Sequence, residues 1–179
     1  MLAALTGLGL SAAAGFNAYI PFLIVACVAR FTTLVTLPSE FAWIESWWAI
    51  GGAAILLVVE MTVDKIAVVD HVNDAVGTFL RPMTGGLIFA ATSAADSIDN
   101  SPWMAEHPWV GVIAGIIVAG LVHSGKAAAR PVVNASTAGV GAPVVSVAED
   151  AAAISLSLVA VFAPLFVLVL LVVLAWIGW

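Results

Sequence analysis

Long apolar runs separated by short polar connections pattern the chain. Continuous stretches at 3–29, 47–69 and 108–129, and a 28-residue stretch at 151–178, each reach the length that a membrane helix needs. That length is roughly 20 residues for a hydrocarbon core of about 30 Å. The segment at 83–95, MTGGLIFAATSAA, is too short alone and approaches the limit only if its helix begins near Phe79. The pattern therefore predicts an all-α, polytopic transmembrane helical bundle of about five spans, the third the least regular, with broken or re-entrant segments. In the first span Gly15, Asn17 and Pro21 interrupt the apolar run. An Asn side chain can satisfy backbone groups that such a break frees, and broken helices line sites in some transporters; a simple kink is the plainer reading.

Composition agrees with this pattern. Of 179 residues, 63% are hydrophobic and 9% charged, with a mean hydropathy of +1.17, where an ordinary soluble domain is about a quarter charged. The formal net charge of −6 removes the electrostatic basis for binding nucleic acid or for a basic surface anchor. The single Cys27 excludes an intramolecular disulfide. The N-terminal MLAALTGLGLSAAAG lacks a basic leader, and its apolarity runs on to Cys27, so it reads as the first membrane helix rather than a signal peptide.

Lys65, Arg81, Lys126 and Arg130 fall in two connections, 65–81 and 126–150, while Arg30 alone faces the others. The positive-inside rule then places those two segments on the cytoplasmic side of an inner membrane, the N-terminus inside and the C-terminus outside. Trp43, Trp47, Trp48, Trp103, Trp109, Trp176 and Trp179 all fall at the outer ends of spans on this assignment, where an indole keeps its N–H wet.

A shift of 61 residues without gaps aligns Trp48 with Trp109, Lys65 with Lys126, Asn73 with Asn134 and Pro82 with Pro143. These are scarce residue types, so the register predicts an internal repeat within one integral membrane domain: repeat A at 47–96, repeat B at 108–157 continuing to 178, and a first helix at 1–30 outside both. Five crossings make the halves parallel; they become inverted if 83–95 is not a span.

At 100° per residue, Glu60, Asp64, His71 and Asp74 fall within an arc of about 80° on one helical face. An ionisable group at membrane depth costs on the order of 3 kcal/mol or more, so these groups require a partner or a wet cavity. The plain alternative is a helix that ends near Asp64 with a solvated cap. Asp64, Asp70, His71 and Asp74 offer oxygen and imidazole donors to a divalent cation, although no cofactor is predicted. A proton path through Glu60, Asp64 and His71 uses the same groups without a metal.

The second polar stretch closes the fourth span with His123, Lys126 and Arg130, after which Pro131 is expected to stop the helix. Asn134, Ser136, Thr137, Gly139 and Gly141 can then turn amides and hydroxyls toward an anion, with Lys126 and Arg130 as countercharge. A cytoplasmic loop with a positive-inside signal is the competing reading. Glu149 and Asp150 begin the last span, where a helix N-terminus favours acids; in a functional reading they pair with Lys126 or Arg130. Gly51, Gly52, Gly111 and Gly115 suit close helix packing.

In GLSAAAGFNAYIP (9–21), VEMTVDKIAVVDHVNDAVGTFLRP (59–82) and KAAARPVVNASTAGVGAPVVSVAED (126–150), the chain resembles a family of small bacterial integral membrane proteins known as domain of unknown function 4126. The resemblance covers essentially the whole length and implies a multi-helix inner-membrane protein, with no activity or site residue to carry over.

The leading expectation is a small transporter or channel for a small solute or ion. In it Glu60, Asp64 and His71, with Lys65, Asn73, Asp74 and Arg81 nearby, face His123, Lys126, Arg130 and Asn134 across a central polar site, with Asn17 in the broken first span. Five helices enclose little volume, so a homo-oligomer in the lipid bilayer is expected. The alternatives are a membrane-embedded metal-dependent enzyme acting on a lipid phosphate, with Arg81, Lys126 and Arg130 on the phosphate, and a non-catalytic accessory subunit.

Overall fold

Asn17 divides the first apolar run. The structure, a computed structural model, describes residues 2–93, 95, 103 and 106–178, and the side chains of these apart from residues 67, 68, 70, 71, 177 and 178. Helix α1 (Leu2–Phe16) ends one residue before Asn17 and α2 (Tyr19–Phe31) starts two after it. The Asn17 side-chain oxygen accepts from the amides of Tyr19, at 3.0 Å, and Ile20, at 3.2 Å. It therefore satisfies two donors that a new helix leaves open. The predicted single span at 3–29 is thus two consecutive helices.

A 3₁₀ turn (Ser39–Glu45) leads into α3 (Trp47–Val63), whose N-cap Ser46 accepts from Ala49 N at 3.2 Å. Then α4 (Ala67–Ser93) runs through Pro82, and α5 (Pro108–Ser136) runs through Pro131. The expected stop at Pro131 does not occur. Arg130, just before it, is tied to Glu149 and Asp64, and the single backbone bond that a proline removes does not stop the last turns from forming. Helix α6 (Ala142–Phe162) is followed by a 3₁₀ turn (Pro164–Phe166) and α7 (Val167–Gly178). The predicted last span at 151–178 therefore starts earlier and breaks at Ala163. Pro164 disfavours helical geometry in the residue before it, and Ala163 sits at φ −148°, ψ 57°.

Among the described residues every regular element is helical. Two helices, α5 and α6, are long and apolar enough to cross a membrane, and the 3₁₀ turn with α3, bent by 54°, makes a third if counted as one span. At 27 residues α4 is long enough, but Asp70, Asp74 and the central Arg81 break its apolarity.

Helix α1 is the centre of the bundle. Nearly its whole length is buried, against α4, α5 and α6, and Leu10 shares a core with Val25, Ile44, Ile88 and Val167. Its small residues explain the position, because Gly and Ala let neighbouring backbones approach closely. The same device joins α4 to α5: a Cβ on Gly115 would run into the Gly85 carbonyl. Gly111 and Gly115 thus pack as expected, whereas a methyl group placed on Gly51 or Gly52 would meet nothing within 4 Å. Gly115→Ala is expected to cost on the order of 1–3 kcal/mol, and Gly51→Ala to be neutral or to add up to about 1 kcal/mol through helix propensity. Thermal unfolding in detergent separates the two.

Trp48 and Trp109, equivalent in the 61-residue register, are both the second residue of their helices. Beyond that the local structures diverge. The chain turns at Lys65 but is mid-helix at Lys126, and Pro82 is inside α4 while Pro143 is in the first turn of α6.

Candidate functional site

Four helices and one turn aim ionisable groups at a common region. Glu60 lies in the last turn of α3 and Asp64 is its C-cap. On α4, Asp74 and Arg81 are seven residues apart and share a face; on α5, His123, Lys126 and Arg130 do so at spacings of three and four. Glu149 and Asp150 come from the interior of α6 rather than its N-terminus, so helix capping does not explain them. Apart from the half-buried Asp74, all of these side chains are buried. The predicted stripe along one helix is replaced by convergence across a turn, because α3 ends at Val63 and α4 starts afresh at Ala67.

Arg81 lies fully buried at one end. It donates to Glu60 Oε1 at 2.9 Å and Asp74 Oδ1 at 3.1 Å, and stands 4.0 Å from Asp64 Oδ2. Its Nη1 also meets His123 Nδ1 at 2.8 Å. Arginine only donates, so Nδ1 is the acceptor and the ring proton sits on Nε2. Nε2 faces Thr78 Oγ1 at 3.1 Å, whose own hydrogen goes to the Asp74 carbonyl at 2.9 Å. A Cβ on Gly77 would lie 2.9 Å from the guanidinium carbon, so glycine is what lets Arg81 fold back along its own helix.

Asp64 is the hub. Its Oδ2 meets Lys126 Nζ at 3.4 Å and Arg130 Nη2 at 3.2 Å, while Oδ1 accepts from Asn73. Lys126 also reaches Glu149 Oε2 at 3.1 Å and the Phe16 carbonyl at 3.1 Å. That carbonyl is at the C-terminal end of α1, where a cation is favoured. Arg130 grips Glu149 with Nε on Oε1, at 3.2 Å, and Nη2 on Oε2. Asp150 stands apart from the cations: Oδ1 accepts from the Asn17 amide at 3.0 Å, and Oδ2 is buried without a partner. Glu60 Oε2 is also buried without one.

A cavity of about 160 Å³ lies beside Glu60 and Arg81, walled by Tyr19, Leu56, Asn73 and Gly77 among others. A second, of about 290 Å³, is lined by Phe22, Trp43, Trp48 and Leu87 and shares Ala18, Tyr19 and Leu56 with the first. A groove of about 580 Å³ lined by Leu121, Leu171 and Leu174 has Lys126 and Glu149 in its wall.

Glu60, Asp64, Asn73, Asp74, Arg81, His123, Lys126, Arg130 and Glu149 are thus linked into one network, and Asn17 with Asp150 forms a buried pair beside it. Four other expected residues stay outside it. Lys65 donates to the Met61 carbonyl at 2.7 Å. Ser136 and Thr137 are exposed and donate to the Val133 carbonyl at 3.0 and 2.7 Å. Asn134 Nδ2 is buried without a partner. The expected anion cradle at 134–141 does not form, because its amides close the α5–α6 turn: Gly139 N donates to Asn134 O at 2.9 Å and Gly141 N to Thr137 Oγ1 at 2.9 Å. The Asp70 and His71 side chains lie outside the described residues. Among the described residues no group of three or more His, Cys, Asp or Glu is placed to hold a metal ion. Arg81, Lys126 and Arg130, expected on a lipid phosphate, engage carboxylates instead.

Tyr19, Gly77, Thr78 and the Phe16 carbonyl join the site without having been expected there. Tyr19 is the only tyrosine and follows the helix-breaking Asn17, and Thr78 is one turn from Asp74; a main-chain carbonyl leaves no mark in a sequence.

These features define an all-helical protein, with helices able to cross a membrane, that holds a charge network inside its bundle. More particularly, the chain belongs to the family described as Domain of unknown function (DUF4126), whose model matches residues 4–179. No curated protein and no solved structure matches it.

Proposed function

We propose that the protein is a small polytopic membrane transporter or channel in which a small solute or ion reaches the network from the tryptophan-lined side. One observation carries this reading: the cavity beside Glu60 and Arg81 has Ala18, Tyr19 and Leu56 in common with the cavity lined by Trp43 and Trp48. A purely structural ion network has no need of a cavity at its carboxylate. Intramembrane ionisable groups are costly, and open space beside them favours function over mere helix pairing.

In this reading the spans are α1 with α2, the 3₁₀ turn with α3, then α4, α5 and α6, with α7 re-entering from the last. The turns at 64–66 and 137–141 face the inner side of the membrane, and the tryptophans at the start of α3 and α5 the outer side. Asn17 opens the first span at the depth of the network, as in the discontinuous helices of some transporters. The exposed apolar face of α3, including Ile55, Val58 and Val59, contacts lipid or a second copy.

Glu60→Gln keeps the shape of the side chain and removes its capacity to ionise. The expected result is a variant that assembles and is purified normally, while flux of small solutes and monovalent ions in proteoliposomes falls to the background of empty vesicles. Glu40→Gln, on the surface, keeps wild-type flux. Unaltered flux in Glu60→Gln removes Glu60 from the pathway.

A further inference from the structure

We propose that the network and the Asn17–Asp150 pair beside it hold two exchangeable protons, one on Glu60 and one on Asp150, and that the proton is the ion this site takes up and releases. Only the second half of this statement rests on the transport reading; occupancy by protons is read without any flux.

Charge pairing is the first observation. In the network and beside it, five buried or half-buried carboxylates (Glu60, Asp64, Asp74, Glu149, Asp150) meet three cations that pair with them (Arg81, Lys126, Arg130), and the half-buried Lys65 stands near Asp150. Asp64 and Glu149 share Lys126 and Arg130. Glu60 and Asp74 share the one guanidinium of Arg81, and no ion pair to Asp150 is formed among the described residues. Acids thus outnumber the cations that pair with them, in a place where an unbalanced charge is expensive.

Hydrogen bonding independently marks Glu60 and Asp150. Glu60 is 6% exposed and Asp150 7%, and each keeps one oxygen, Oε2 and Oδ2, without any donor. An ionised carboxylate buried in this way seeks donors on both oxygens. A neutral acid needs no donor on the oxygen that carries its hydrogen and leaves no charge there; that hydrogen then calls for an acceptor such as water. Glu60 also has an approach, since it lines the cavity with Tyr19, and Asp150 is bonded to Asn17 at the helix break.

The surroundings act differently on the two. Around Glu60 stand Arg81 from α4, Lys126 from α5, the Asp64 cap of its own helix and the Tyr19 phenol from α2. Around Asp150 stand Lys65 and Asp64 from the α3–α4 turn and Lys126 from α5, with Asn17 as its hydrogen-bond donor; Glu149 precedes it on α6. Glu60 thus shares a guanidinium with Asp74, whereas Asp150 has no cation within ion-pairing distance among the described residues. The chemistry is proton transfer only: an O–H bond forms on a carboxylate oxygen as one breaks in water or hydronium, and nothing is oxidised or reduced.

The test is infrared difference spectroscopy of the full chain in lipid nanodiscs, neutral against alkaline. The wild type is expected to show two carboxylic-acid carbonyl bands that disappear on alkalinisation. Glu60→Gln removes one and Asp150→Asn the other. Absence of such bands, or bands that survive both substitutions, overturns the proposal even if the protein transports a solute. The second readout is thermal unfolding at neutral pH. Asn and Gln imitate the neutral acids, so Asp150→Asn and Glu60→Gln keep the wild-type midpoint while Asp64→Asn lowers it. A midpoint loss in Asp150→Asn equal to that in Asp64→Asn, or failure of Asp150→Asn to fold, also overturns it. If both readouts hold and proteoliposomes show no flux, the protons stand and the transport reading falls.

Discussion

Arg81→Met is expected to lower the stability of the folded protein by about 3–5 kcal/mol, the range for removing one partner of a buried ion pair. The guanidinium is fully buried and is the common partner of Glu60, Asp74 and His123. Methionine fills much of the same space and supplies no donor. Asp74 then loses its cation and His123 Nδ1 its donor. Unfolding in mixed detergent micelles measures the loss. The loss is expected to be smaller in acid than at neutral pH, because Asp74 can neutralise itself by taking up a proton. Arg81→Lys keeps the charge but cannot address Glu60 and Asp74 from two nitrogens at once, so it falls between methionine and the wild type. A methionine variant as stable as the wild type would mean that the network contributes nothing to holding α3 against α4 and α5.

Asp64→Ala is the second large effect, expected at about 3 kcal/mol or more by the same argument. The hub carboxylate is the group that Lys126, Arg130 and Asn73 have in common. Its removal takes one carboxylate away from both Lys126 and Arg130, which also engage Glu149, and frees the α3–α4 turn from that contact with α5. A double-mutant cycle isolates this coupling. Combined with Lys126→Met, Asp64→Ala is expected to cost clearly less than the sum of the single effects, because the second substitution removes a charge from which the first has taken a partner. Additive losses would show that Asp64 acts through its own helix end rather than through Lys126.

Periodicity and charge placement carried a good deal of this architecture. The apolar runs at 108–129 and 47–69 correspond to α5 and to α3 with the following turn, and the pairing of Glu149 with Lys126 and Arg130 was one of the two readings open from residue type alone. Proline misleads in both directions. Pro131 and Pro164 look alike along the chain. Pro131 sits inside a helix whose preceding arginine is anchored from α6 and α3, whereas Ala163 before Pro164 takes an extended φ and ends α6. The helical stripe through Glu60, Asp64 and Asp74 assumes one continuous helix across Lys65, and the break there cannot be seen from hydropathy. Gly51 and Gly115 are equally small, yet only Gly115 meets a backbone.

Apolar length and the scarcity of charge determined that this chain folds as helices around a poorly solvated interior, since a backbone without water must bond within itself. Residue type also determined which groups could not stay alone there: each acid or base at that depth required an opposite partner. Which partner, and which acids were left over, was decided only by the tertiary packing. Small residues on α1, α4 and α5 bring those helices close, and that approach sets which carboxylates lie within reach of the three cations and leaves one oxygen each of Glu60 and Asp150 without a donor.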